Sequence, residues 1–168
     1  MTAAEHLTQS ISALGHLLEL RIDQALSDEG ITARQFIALV HIASDPNLHR
    51  SSLSRILHIS PQVAAGLTHR LRDRGLLQRT VLDRWSPITF AITDIGLRCL
   101  ARTRPIVTQV ERDTLSHLSG RIASTLVEAV SALVHEVDWL AGRTVPDGQR
   151  LHLAGIQTQQ REEDPCAS

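Results

Sequence analysis

The stretch LSRILHISPQVAAGLTHRLRDRG, residues 53–75, holds two helix signals separated by one short turn. Its pivot is Ser60-Pro61. Serine is a favoured N-cap, and proline at the first helical position presets φ while its missing N–H costs nothing there. The helix starting at Pro61 runs to Arg74, and Gly75 closes it. Upstream, residues 50–57 read as a short helix that turns Leu53, Ile56 and Leu57 inward, and His58-Ile59 makes the connection. At about 100° per residue, Val63, Leu67 and Leu71 share one side of the second helix, flanked by Arg74 and the stem of Arg70. Gln62, Ala65, His69 and Arg72 share the other side.

Downstream, residues 76–82 and 88–92 read as strands. Ile88, Phe90 and Ile92 alternate with Thr89 and Ala91, the period of a half-buried strand. Asp83-Arg84-Trp85-Ser86-Pro87 between them is a hairpin loop, so the second helix is followed directly by a wing. Upstream, Thr32 and Gln35 form a capping box that opens a helix over residues 33–43, with Ile31 placed to staple onto Phe36. A turn at Asp45-Pro46-Asn47 follows it.

Long helices flank this centre. Leu7, Ile11, Leu14, Leu18 and Ile22 give residues 5–27 one apolar stripe, ended by Asp28-Glu29-Gly30. Thr93 caps a helix from residue 95 to about 118, with Pro105 as a kink or restart. Ser119-Gly120 then breaks the chain before a helix at residues 121–140. There Leu126, Val130, Leu133, Val137 and Leu140 form a short coiled-coil-like seam. Glycines and prolines interrupt residues 143–168, which are expected to be an unstructured tail. The fold expected is mainly α with a small β-hairpin wing. It divides into an N-terminal helix (residues 1–30), a winged helix-turn-helix (31–92), C-terminal helices (93–142) and the tail.

The 168 residues suit one domain with an extension, and only four are aromatic, so Leu, Ile, Val and Ala must build the core. The net charge of −1 conceals a segregation. Residues 47–104 carry ten arginines against three acids, a net of +7, and the rest of the chain carries −8. A concentrated positive field is what a polyanion partner requires, which makes double-stranded DNA the leading expectation. No apolar run reaches the roughly 18 residues needed to cross a bilayer, so no membrane association is expected. Two cysteines and an N-terminus without an export-signal pattern point to the cytoplasm. Cys99 reads as a small core residue and Cys166 as an inert tail thiol. No enzyme motif is present, and nine scattered histidines read as surface residues, so neither catalysis nor a metal or other cofactor is expected.

In a helix-turn-helix the second helix buries its apolar stripe and offers the other face to the major groove. Gln62, Ala65 and His69 are therefore the base-edge candidates: Gln can pair with adenine, His with a guanine acceptor, and Ala can touch a thymine methyl. Arg50, Arg55, Arg72, Arg74 and Arg79 are the candidates for phosphate contacts. Arg84, at the hairpin tip, is placed to enter the minor groove. A competing reading is a protein-interaction module docking a partner through the same face or through Trp85.

The order of elements resembles the MarR family of winged-helix transcriptional regulators over about residues 5–142. The likeness is carried by Leu53-Ser54-Arg55-Ile56-Leu57-His58-Ile59-Ser60 and by His69-Arg70-Leu71-Arg72-Asp73-Arg74-Gly75-Leu76-Leu77. It continues in Asp83-Arg84 and in Ile92-Thr93-Asp94-Ile95-Gly96. The resemblance implies a homodimer interlocked by the first and last two helices, acting on a pseudo-palindromic operator, usually as a repressor released by a small molecule. By the same analogy, His16, Leu20, Phe36, Val40 and Leu97 would line a pocket for an apolar or aromatic-acid effector. The chain departs from the family pattern in a wing about two residues short, in Trp85 where a second arginine is common, and in Gly66 where a longer side chain often sits.

Overall fold

The computed structural model describes residues 3–45, 48–80 and 89–140. Six helices and one hairpin follow in the order α1 (Ala3–Ala25), α2 (Ala33–Ser44), α3 (Arg50–Ile56), α4 (Pro61–Asp73), β1 (Leu77–Thr80), β2 (Thr89–Ile92), α5 (Asp94–Leu115) and α6 (Gly120–Leu140). A 3-10 turn, Ser27–Glu29, links α1 to Gly30, which takes the left-handed conformation at φ 65°.

Local chemistry sets the helix boundaries. Gln35 N–H donates to Thr32 Oγ1, and Thr32 N–H donates to Gln35 Oε1, so the expected capping box opens α2. Ser60 caps α4 by accepting from Val63 N–H, with Pro61 as the first helical residue. At the far end of α4, Gly75 N–H donates to Arg72 O and Leu76 N–H to Leu71 O, with Gly75 at φ 70°. That pair of bonds is a Schellman closure. The turn between α3 and α4 closes the same way: His58 N–H reaches Arg55 O and Ile59 N–H reaches Ser54 O. The left-handed position there is held by His58, at φ 51°, rather than by glycine.

Leu26, Ile31, Phe36, Leu39, Ile42, Leu53, Leu67, Leu71, Leu76, Phe90, Cys99 and Leu100 form one core, shared by α2, α3, α4, the hairpin and the first half of α5. Cys99 is buried there, and burial pushes its thiol above the ordinary range. Pro105 neither breaks nor restarts α5, which runs through it. β1 and β2 are antiparallel with Arg79 opposite Phe90 and Thr80 opposite Thr89. Expected to point outward, Thr89 is buried. Its hydroxyl donates to Thr80 O, and it bridges to His49, so the segment before α3 acts as a third edge on the hairpin.

Two other expectations are corrected. The buried stripe of α4 is Ala64, Leu67, Thr68 and Leu71, whereas Val63 is 45% exposed. Small Ala64 and Thr68 fit against the core, Thr68 because its hydroxyl is satisfied by Ala64 O and Ala65 O. His41 is buried in α2 instead of lying on the surface, and that burial holds its imidazole below its ordinary value.

The ends of the chain contrast with this centre. Leu7, Ile11, Leu14, Leu17 and Leu20 on α1, and Ile122, Leu126, Val130, Leu133, Val134 and Val137 on α6, are all exposed. No helix among the described residues is long and apolar enough to cross a membrane. The hairpin loop with Arg84 and Trp85, the turn at Pro46-Asn47, Cys166 and the 143–168 tail lie outside the described residues.

Candidate nucleic-acid interface

With Ala64, Leu67, Thr68 and Leu71 turned inward, the line of α4 farthest from the core runs through Gln62, Gly66, His69 and Asp73. Val63 and Arg70 flank it on one edge, Ala65 and Arg72 on the other. Of the three base-edge candidates, Gln62 and His69 are exposed on this line, and Ala65 is half-buried on the flank. Sequence reasoning missed Val63 because it built the buried stripe from large apolar residues alone. Admitting Ala64 and Thr68 as core residues would have rotated the helix and exposed it.

On the Ala65 edge a cleft of about 270 Å³ opens between α4, the start of α3 and the hairpin. Arg50, Ala65, Thr68, His69, Arg72, Arg79 and Phe90 line it. Three arginines from three different elements thus converge on one wall, with no carboxylate among the described lining residues. Such an arrangement attracts an anion, and guanidinium groups suit phosphate oxygens geometrically. Arg50, Arg72 and Arg79, three of the five expected phosphate contacts, meet here.

The other two lie elsewhere. Arg55 is exposed on α3, and its Nε approaches Ser51 O at 3.4 Å. Arg74 turns back into the protein: Nη2 donates to Glu29 O at 3.1 Å and Nη1 donates to Gly30 O. Glu29 in turn accepts from Arg102 Nε at 2.9 Å. Arg74 therefore ties the end of α4 to the turn after α1, and Arg102 of α5 completes the link. The Arg74 guanidinium, on an exposed residue, thus bonds two backbone carbonyls of its own chain.

His69 has a partner the sequence reading did not assign: Asp73, at i+4 on the same exposed line. A donor and an acceptor at i and i+4 can be read from spacing alone, so the signal was present.

The five residues named for an effector pocket separate. Phe36 is buried and Val40 packs against the same core. Leu20 and Leu97 are about half exposed and His16 is exposed. None of the five lines the arginine cleft.

A MarR family model matches residues 29–84, which span α2, α3, α4 and β1. No curated protein matches the chain by sequence. Solved structures do match by fold. A MarR-family transcriptional regulator from Rhodococcus sp. RHA1 aligns with TM-score 0.70 at 18% identity, covering 79% of this chain and 96% of its own. MepR of S. aureus, solved as a DNA complex, aligns with TM-score 0.66 at 19% identity over 81% of this chain and 98% of its own. A Mycobacterium tuberculosis MarR-family protein in complex with p-aminosalicylic acid aligns with TM-score 0.64 at 21% identity over 76% and 97%.

Proposed function

We propose that this chain is a DNA-binding transcriptional regulator of the MarR type acting as a homodimer: a MarR family model matches residues 29–84, and the fold matches that of solved MarR-family regulators. The observation that carries the reading is the exposed Gln62–His69 line of α4 beside a cleft into which Arg50, Arg72 and Arg79 converge. In the major groove, that line faces base edges while the arginines grip the adjacent backbone. Arg84, which lies between β1 and β2 in sequence, is assigned to the minor groove.

The second copy is argued from the ends of the chain. An apolar stripe along α1 from Leu7 to Leu20 and another along α6 from Ile122 to Val137 are left exposed by the described residues of their own chain. Contiguous exposed apolar surface of this kind marks an association site. Mutual burial of the two stripes gives a two-fold dimer carrying two copies of α4, which suits a pseudo-palindromic operator with half-sites about one helical turn apart. Repression is the proposed sense of regulation. A small aromatic acid is the proposed releasing ligand, by analogy with the p-aminosalicylic acid bound by the M. tuberculosis protein.

The test is a duplex selection from random DNA followed by titration at several salt concentrations. A dimer that neutralises about eight phosphates should show log K falling against log salt with a slope near −7. A flat salt response, or a monomer by light scattering, would end this proposal.

A further inference from the structure

We propose that Val63 reads a thymine 5-methyl group in the major groove and that Gly66 leaves the room that lets α4 seat closely enough for it to do so. The inference rests on the DNA-binding reading above and names the base chemistry of the same surface.

Val63 lies in the first turn of α4, where a groove-entering helix makes its base contacts. Its backbone N–H is fixed by the Ser60 cap at 3.3 Å, so the side chain's direction is set. The residue is 45% exposed, and as a β-branched residue it is a mediocre helix former. Next to it on the exposed line are Gln62, able to pair with an adenine edge, and Gly66. A Cβ built on Gly66 would meet nothing within 4 Å, so the fold places no demand for glycine at this position. Glycine in a helix interior nonetheless costs about 1 kcal/mol relative to alanine. The open space lies on the outward face, one turn after Val63 and one before His69 and Arg70.

The residue assigned to thymine from sequence, Ala65, is half-buried in the wall of the arginine cleft. Val63 offers a branched apolar side chain, on a residue 45% exposed, on the opposite edge. Apolar contact with the 5-methyl group is the one feature of a thymine edge that needs no hydrogen-bonding partner. Positive charge from Arg70 on the same edge and from the cleft on the other supplies the attraction that brings the duplex in.

Replacing each thymine of the selected half-site by uracil, one at a time, removes only the methyl group. One position per half-site should lose about fourfold in affinity, the worth of one buried methyl group. The loss should vanish in Val63→Ala and persist in Ala65→Ser. Gly66→Ala should raise the melting temperature by about 2–4 °C while lowering affinity about tenfold, the cost of one lost base contact. Uracil replacement without effect in the wild-type protein, or an effect unchanged in Val63→Ala, would overturn the assignment while DNA binding itself stands. Absence of any selected duplex would instead remove the reading on which it rests.

Discussion

Nδ1 of His69 lies 2.7 Å from Oδ2 of Asp73, one turn further along the outward line of α4, and both side chains are largely open to solvent. An exposed pair of this kind adds little to stability, at most about 1 kcal/mol. Its consequence is orientation: with Nδ1 engaged by the carboxylate, Nε2 is the nitrogen left to face a partner.

Base preference at the His69 position should therefore depend on that orientation. With Nε2 directed at a base edge, the preference at one base pair per half-site should be worth about 1 kcal/mol. Competition between duplexes differing at that one pair checks it, and Asp73→Ala, which releases the ring, should weaken the preference. An identical preference in His69→Ala would exclude His69 as a reader.

Arginines that look equivalent in sequence should separate experimentally. Arg72→Ala and Arg79→Ala remove cleft cations and should each flatten the salt slope by about 2 per dimer. Arg74→Ala removes the bonds to Glu29 O and Gly30 O, so it should leave that slope unchanged and cost about 1 kcal/mol in urea unfolding.

Gly96 is required by a close approach. A Cβ there would stand against the carbonyl oxygen of Leu76 and 2.6 Å from Ile92 Cγ1. The same junction is tied by Thr93, whose hydroxyl donates to Gly75 O at 2.6 Å and accepts from Gly96 N–H at 3.1 Å. Gly96→Ala should destabilise the fold by about 2–3 kcal/mol in chemical unfolding. Thr93→Ala should cost about 1–2 kcal/mol.

Buried His41 predicts an acid-side loss of stability. Its proton affinity is lowered in the folded state, so above about pH 6.5 it is neutral in both states and imposes no penalty. Below that, the unfolded chain gains a proton that the folded state resists, and stability falls with pH. The drop in unfolding midpoint from pH 7.5 to 5.5 should be smaller in His41→Leu than in the parent.

Association should be visible as a rise of melting temperature with protein concentration. Leu133→Glu places a charge in the exposed stripe of α6 and should abolish that dependence, yielding monomers in sedimentation.

The elements of this protein were legible in the sequence because each boundary is a local event. The Thr32–Gln35 box, Ser60-Pro61, Gly75 and Thr93 act within one turn of the chain, and the structure places helix ends within a few residues of where those signals stand. The rotation of α4 about its axis was not local. It depends on which side chains the rest of the core can accommodate, and a tightly packed core accepted Ala64 and Thr68 and left Val63 outside. The fate of Arg74 was decided the same way, by carbonyls 44 and 45 residues away in sequence, whereas His69 met a carboxylate four residues on, a local pairing that the spacing already carried. Composition fixed that a basic centre would lie between apolar end helices. Only the packing determined which guanidinium groups share a cleft and which hold the chain to itself, because a long side chain takes whichever partner the fold brings within its reach.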